Sequence, residues 1–254
     1  MKITIIGSGK MALALAKGLE AKNELTIVGR DSKKLLQFTK QLLKDTKRVL
    51  LNNYDIDGQI VLLCIKPYAL KDISTHIKGK AKTIYSILAG TDIANIKKAI
   101  KAEYYVRAMP NLAASFNSSM TTLTGDDEKK DEAKELFLAI GKTLWVESEK
   151  ELDIATAIAG SGPAFLAMVA EALADGGVKE GLRRSEAMEL VKGLFWGFSS
   201  LLENNHPAMI KDAVMSPGGT TAAGYASLEE KGVRNSFIKA IQAAYDKAKN
   251  NSFV

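Results

Sequence analysis

Short apolar runs alternate with helix-period segments over the first half of the chain, and then the alternation stops. The runs Lys2 to Ile6, Leu25 to Val28, Val49 to Leu51, Ile60 to Ile65, Thr83 to Ile87, Tyr104 to Met109, Ser119 to Leu123 and Thr143 to Val146 have the length and apolar content of strands. Between them, Met11 to Glu20, Ser32 to Leu43, Ile93 to Ile100 and Asp127 to Ile140 carry helical spacing. Strands separated by helices predict a parallel sheet with crossover helices, the α/β class. After about Glu147 only helical spacing continues: Leu190, Val191, Leu194, Phe195, Phe198, Leu201 and Leu202 recur at three- and four-residue steps, as do Phe237, Ile238, Ile241 and Tyr245. The expected organisation is two domains, 1–147 with the sheet and 148–254 all helical.

A chain of 254 residues is long enough for two such cores. The helical part has several wide apolar faces and a shallow core of its own, so some faces should bury against a second subunit. Trp196, Phe195 and Phe198 fit core or interface, core being the plainer reading. Ile154 to Ala174 is the most apolar stretch, but Gly160-Ser161-Gly162-Pro163 and Glu171 interrupt it, which predicts a buried helical core and no membrane span. The apolar run after Lys2 breaks at Gly7, too soon for an export signal. With Cys64 the sole cysteine, and set in an apolar run, no intrachain disulfide exists and a cytoplasmic location is expected. The formal charge of +6 comes from lysines scattered along helix faces. No basic stripe interleaved with aromatics suggests nucleic acid, and an anionic small molecule suits the charge better.

The chemistry begins at Gly7-Ser8-Gly9-Lys10-Met11-Ala12, which follows a predicted strand and opens a predicted helix. In that context Gly7 permits a tight turn, Gly9 lets backbone approach a pyrophosphate, and Ala12 stands where helix meets strand. The pyrophosphate would lie on the helix N-terminus. A Rossmann-type dinucleotide-binding domain is therefore expected. At the end of the second strand, Arg30 can pair with a phosphate, and Ser32 and Lys33 add donors, which favours NADPH. Asp31 leaves NADH open, or with Ser32 simply caps the next helix.

A second anion site is predicted at Ser216-Pro217-Gly218-Gly219-Thr220-Thr221. The proline sits early, two glycines follow, and Thr-Thr starts an Ala-rich helix, so unpaired backbone N–H groups should converge on one point. A substrate carboxylate would bind there without an arginine. Metal ligation is not expected: His76 and His206 are the only histidines, far apart and without partners. His206 before Pro207 reads as a helix start.

These residues resemble the pyrroline-5-carboxylate reductase family. His206-Pro207-Ala208-Met209-Ile210-Lys211-Asp212, continuing to Ser216 through Thr221, is similar to that family's signature. Further matches are the Gly7 to Ala12 turn, Ile65-Lys66-Pro67, Ser86 to Gly90, Arg107-Ala108-Met109-Pro110-Asn111, Gly160 to Ala164 and Leu228 to Gly232. The resemblance implies reduction of the ring C=N of 1-pyrroline-5-carboxylate to L-proline by NAD(P)H, a helical dimerisation domain, homodimers and assemblies such as decamers. It puts Lys66, Pro67 and Ala89 beside the nicotinamide and Asn52 (or Asn53) on the adenosine side. Ser216, Gly218, Gly219, Thr220 and Thr221 correspond to the substrate pocket, with Glu149 and Thr156 nearby; Ser216 and Thr221 are the candidates for catalysis, Thr221 bonding the imine nitrogen. Gly-Ser-Gly-Lys at the first turn and Gly29-Arg30 after the second strand depart from the family's commoner residues. Alternative readings are a reductase of another cyclic imine, a β-hydroxyacid dehydrogenase using Lys150, or a non-catalytic NADP-binding protein.

Overall fold

The computed structural model describes residues 1–251. The first elements follow the apolar pattern closely: β1 (Lys2–Ile6), α1 (Lys10–Leu19), β2 (Glu24–Gly29), α2 (Ser32–Thr39) and β3 (Lys47–Leu50). Ala12, Leu15, Ala16 and Leu19 put one stripe of α1 into the core. The helix α2 ends earlier than the expected Leu43. There the N–H groups of Leu43 and Lys44 bond the Glu20 carboxylate at 2.7 and 3.1 Å, instead of helical carbonyls.

Next come β4 (Tyr54–Asp55), β5 (Ile60–Leu63), a 3₁₀ turn (Pro67–Ala69), α3 (Leu70–Ser74), β6 (Ile77–Lys78), β7 (Ala81–Ser86), α4 (Ile93–Ala99), β8 (Ala102–Met109), β9 (Ser119–Gly125), α5 (Lys130–Leu138) and β10 (Gly141–Trp145). Eight strands form one sheet in the order β10-β9-β8-β7-β5-β1-β2-β3, and β4 pairs with β6 apart from it. Alternate residues of the central strands feed opposite faces. Ile3, Ile5 and Leu62 join one core cluster, and Ile6, Val61 and Leu63 the other, so both faces are covered. The expectation of parallel strands needs one correction: β8 and β9 are antiparallel. Their link holds only the 3₁₀ turn Leu112–Phe116, too short for the crossover that parallel pairing requires.

The chain then turns helical: α6 (Glu149–Ala155), a π-helical turn (Thr156–Gly160), α7 (Gly162–Lys179), α8 (Arg184–Asn204), α9 (Pro207–Val214), α10 (Thr220–Glu230) and α11 (Val233–Asn251). Gly160-Ser161-Gly162-Pro163 does not interrupt this run. Ser161 N–H bonds the Thr156 carbonyl five residues back, and Pro163 occupies the first turn of α7, where no N–H is needed. By packing, Met1–Ser161 with residues 244–251 make one unit, and Gly162–Ala243 the other.

In the second unit the buried cluster is small, Ala174, Ala187 and Val191. The segment Glu149–Lys179 is long and apolar enough to cross a membrane, and within the chain it is largely uncovered, not the buried core its sequence predicts. Trp196 is 80% exposed and Phe198 is exposed as well, so the plainer core reading fails for both. Phe195 packs against the small cluster.

Candidate functional site

The strand order reverses between β1 and β5, and the crevice outside their carboxyl ends is where an open α/β sheet binds ligands. Gly7 turns the chain there with φ +123°, its N–H donating to the Val28 carbonyl at 2.8 Å. A Cβ on Gly7 would run into the Cys64 carbonyl oxygen, so the turn requires glycine on both counts. Gly9 is the N-cap of α1 and supplies no side chain to its free N–H groups, while the space a Cβ would take is open. An uncapped helix start above an open cradle fits a pyrophosphate.

The cleft at this point has a volume of about 720 Å³. Gly7, Ser8, Gly9, Lys10, Met11, Arg30, Lys66, Pro67 and Ala89, all singled out in the sequence, line it. Ser32 and Asn52 do not. Ser32 begins α2 with its side chain exposed, and Asn52 lies exposed just after Leu51, which does reach the cleft. Asn53 takes the left-handed conformation at φ 49°. Lys34 lines the cleft in place of the expected Lys33, one helical step further round α2. Tyr68, Leu112 and Ser115 were not foreseen; they come from 3₁₀ turns, which have no repeating pattern to read.

At the end of β2, Asp31 takes the capping role. Its Oδ1 accepts the N–H groups of Lys33 and Lys34 at 2.9 and 3.0 Å, capping α2. The Lys34 N–H, then that of Lys33, hold the carboxyl below its ordinary value. Arg30 projects into the cleft and donates from its Nη1 to Asp72 Oδ2 at 2.6 Å. Cys64 also borders the cleft, but burial pushes its thiol far above the ordinary range, so it is an inert packing group.

In the helical unit, Ser216 to Thr221 forms the predicted turn. Gly218 has φ 70°, the Gly219 N–H donates to the Ser216 carbonyl at 3.0 Å, and a Cβ at Gly219 would run into the Ser216 hydroxyl. Gly219 is the N-cap of α10 and again offers no side chain to the helix start, leaving the first N–H groups at Thr220 and Thr221 for a ligand. The Ser216, Thr220 and Thr221 side chains are exposed, and Thr221 borders a wide apolar groove with Tyr225 and Lys211. His206 caps α9: its Nδ1 accepts the Ala208 N–H at 3.2 Å.

Glu149 opens α6 and is not free. Its Oε1 accepts from Arg107 Nη1 at 3.0 Å and from the Ile93 N–H at 2.9 Å. Arg107 also reaches Asp153 Oδ1 at 3.2 Å, and its own side chain is buried. Thr156 turns its hydroxyl back to the Leu152 carbonyl at 2.7 Å. Asn111 bonds the Ala159 carbonyl at 3.0 Å, fixing the π turn. Among the described residues, no group of three or more His, Cys, Asp or Glu side chains is placed to hold a metal ion.

Residues 149–251 match the family model described as pyrroline-5-carboxylate reductase dimerisation, and residues 2–90 match NADP oxidoreductase, coenzyme F420-dependent. The chain is 37% identical over 262 residues to a pyrroline-5-carboxylate reductase from Synechocystis sp., with 96% of each chain covered. It is similar to the solved 1-pyrroline-5-carboxylate reductase of Streptococcus pyogenes at TM-score 0.87 and 35% identity, covering 98% of each chain. A pyrroline carboxylate reductase of Plasmodium falciparum, solved with NADP bound, gives TM-score 0.81 at 26% identity, covering 99% of this chain and 100% of that one.

Proposed function

This chain belongs to the pyrroline-5-carboxylate reductase family, and on that footing we propose how its own residues carry the reaction. It is an NAD(P)H-dependent oxidoreductase that reduces the ring C=N bond of 1-pyrroline-5-carboxylate, the last step of proline biosynthesis. A hydride goes to C5, a proton to the ring nitrogen, and L-proline results. The bound nicotinamide supplies the hydride.

The observation that carries the residue assignment is the uncapped start of α10 behind the Gly218-Gly219 turn. The substrate carboxylate binds the N–H groups of Thr220 and Thr221, where charge and helix dipole agree. That fixes the ring and leaves the Thr221 hydroxyl to bond the imine nitrogen, with the Ser216 hydroxyl beside it. No strong acid is needed, because a protonated imine is already the better hydride acceptor. Glu149 acts at one remove: tied to Arg107, it sets the position of α6 and does not meet the carboxylate directly.

Residues 1–147 bind the cofactor, and 148–254 form the dimer and the substrate pocket. NADPH is the preferred donor: Arg30 and Lys34 both face the cleft, and the Asp31 carboxylate that would serve a ribose diol is committed to the α2 cap. The exposed apolar faces of the helical unit suit a dimer, and dimers assemble further, as into a decamer. The enzyme works in the cytoplasm, where its single thiol needs no oxidising partner.

The test follows absorbance of NADPH and NADH with pyrroline-5-carboxylate, alongside the molar mass of the 27.4 kDa chain in solution. Turnover with the imine, faster with NADPH, is expected, at a mass of two or more chains. Faster turnover with NADH would overturn the cofactor assignment, and a monomeric active enzyme the assembly.

A further inference from the structure

Asp72 lies near the start of the short helix α3, on a different element from Arg30, yet the two side chains meet at 2.6 Å at the rim of the cofactor cleft. Both are more than half exposed, at 59% and 55%, so neither is pinned by packing and the contact is electrostatic. Arg30 carries five N–H donors, and one is given to Asp72 while the others stay free for a ligand. Asp31 is committed to the α2 cap, which leaves Asp72 as the carboxylate bound to this guanidinium.

We propose that Asp72 sets the margin of cofactor choice: its carboxylate shares the Arg30 guanidinium with the 2′-phosphate of NADPH and so narrows the preference over NADH. The inference rests on the reading that Arg30 meets that phosphate. Two anions on one cation repel each other, and the cation already has one carboxylate partner before the phosphate arrives. NADH, with a hydroxyl at that position, meets no such repulsion. Asp72 therefore weakens binding of one cofactor and leaves the other, which lets the enzyme draw on both pools.

The experiment compares Kd for NADPH and NADH, by fluorescence titration without substrate, and kcat/KM for both, in the native enzyme and in Asp72→Asn, Asp72→Glu and Arg30→Ala, with the two ratios expected to move together. Asp72→Asn keeps the shape and removes the charge. It should raise the NADPH:NADH ratio about two- to fivefold at low salt, the range of an exposed ion pair, mainly by lowering KM for NADPH. The gain should shrink as ionic strength rises. Asp72→Glu should stay near the native ratio, and Arg30→Ala should lower it. If Arg30→Ala lowers the ratio while Asp72→Asn leaves it unchanged or lowers it too, the Asp72 inference fails and the Arg30 reading stands. If Arg30→Ala leaves the ratio unchanged, the Arg30 reading itself fails and carries the inference with it.

Discussion

The Arg107 guanidinium, buried at the end of β8, grips Glu149 at the first position of α6, with Nη1 to Oε1 at 3.0 Å. Asp153, one turn along the same helix face, takes the other arm at 3.2 Å. One cation thus fastens the sheet to the helix that begins the second half of the chain. Removing it would leave two carboxylates facing each other with no counterion. Arg107→Ala should destabilise the protein by about 3–5 kcal/mol, the usual cost of breaking a buried pair from one side. Lysine should not rescue it, since a single ammonium cannot span both carboxylates. Glu149→Gln should cost less, because Asp153 still answers the guanidinium. Urea midpoints of the three variants give the order; equal midpoints for Arg107→Ala and the native enzyme would refute it.

Gly7 stands at the other end of the same unit's logic. Its φ of +123° and the Cys64 carbonyl beside it both exclude a side chain. Gly7→Ala should therefore strain the backbone by about 1–3 kcal/mol and displace the β1–α1 turn from the cleft. The expected result is at least tenfold weaker NADPH binding by fluorescence titration. Gly9→Ala meets no protein atom within 4 Å, so any loss it causes must come from the ligand's side. A Gly9→Ala loss of cofactor affinity without a fall in thermal stability is the expected contrast.

Burial raises the Glu132 pKa, but the Lys129 ammonium at 2.8 Å and the Tyr85 hydroxyl at 2.7 Å outweigh it, and the carboxyl ends below its ordinary 4.5. A carboxyl whose folded value is depressed adds stability that is complete above its unfolded value and is lost as pH falls through the folded one. Native stability should therefore decline from about pH 4.5 downward. Glu132→Gln should be less stable at pH 7 by about 1–3 kcal/mol, and should lose less on acidification. Urea midpoints from pH 3 to 7 would show parallel slopes if Glu132 made no contribution.

Much of the sheet was legible because its strands are short apolar runs with glycine at their ends. Direction was not: the continuous buried runs in Ala102–Met109 and Ser119–Gly125 read the same for either pairing, and only the short link decides that β8 and β9 run antiparallel. The two-residue strands Tyr54–Asp55 and Ile77–Lys78 are too short to form a pattern at all. In the cofactor cleft the glycine turn and Arg30 could be read directly, since their residue types announce their use. The Arg107 cluster could not, because its partners lie 42 and 46 residues away and an arginine in a strand looks like a surface group. Trp196 misled for the opposite reason. Helical periodicity says which face is apolar, but not whether this chain or a second copy covers it.

Thr221 is the residue on which the chemical reading stands or falls. It sits one position into α10, so its backbone N–H and its hydroxyl are separate groups: the N–H belongs to the uncapped start of the helix and the hydroxyl is on an exposed side chain. Thr221→Ala keeps the N–H and the helix while removing only the hydroxyl. If that hydroxyl bonds the imine nitrogen as hydride arrives, the loss appears in turnover, since the interaction strengthens as the nitrogen gains electron density. A fall in kcat of about 10–100-fold is expected, with KM for NADPH nearly unchanged and KM for the imine moved only modestly. Thr221→Ser should recover most of the rate, because it restores the donor without the methyl group. A Thr221→Ala enzyme with native kcat would remove the hydroxyl from the reaction and leave only the backbone of this turn in the site.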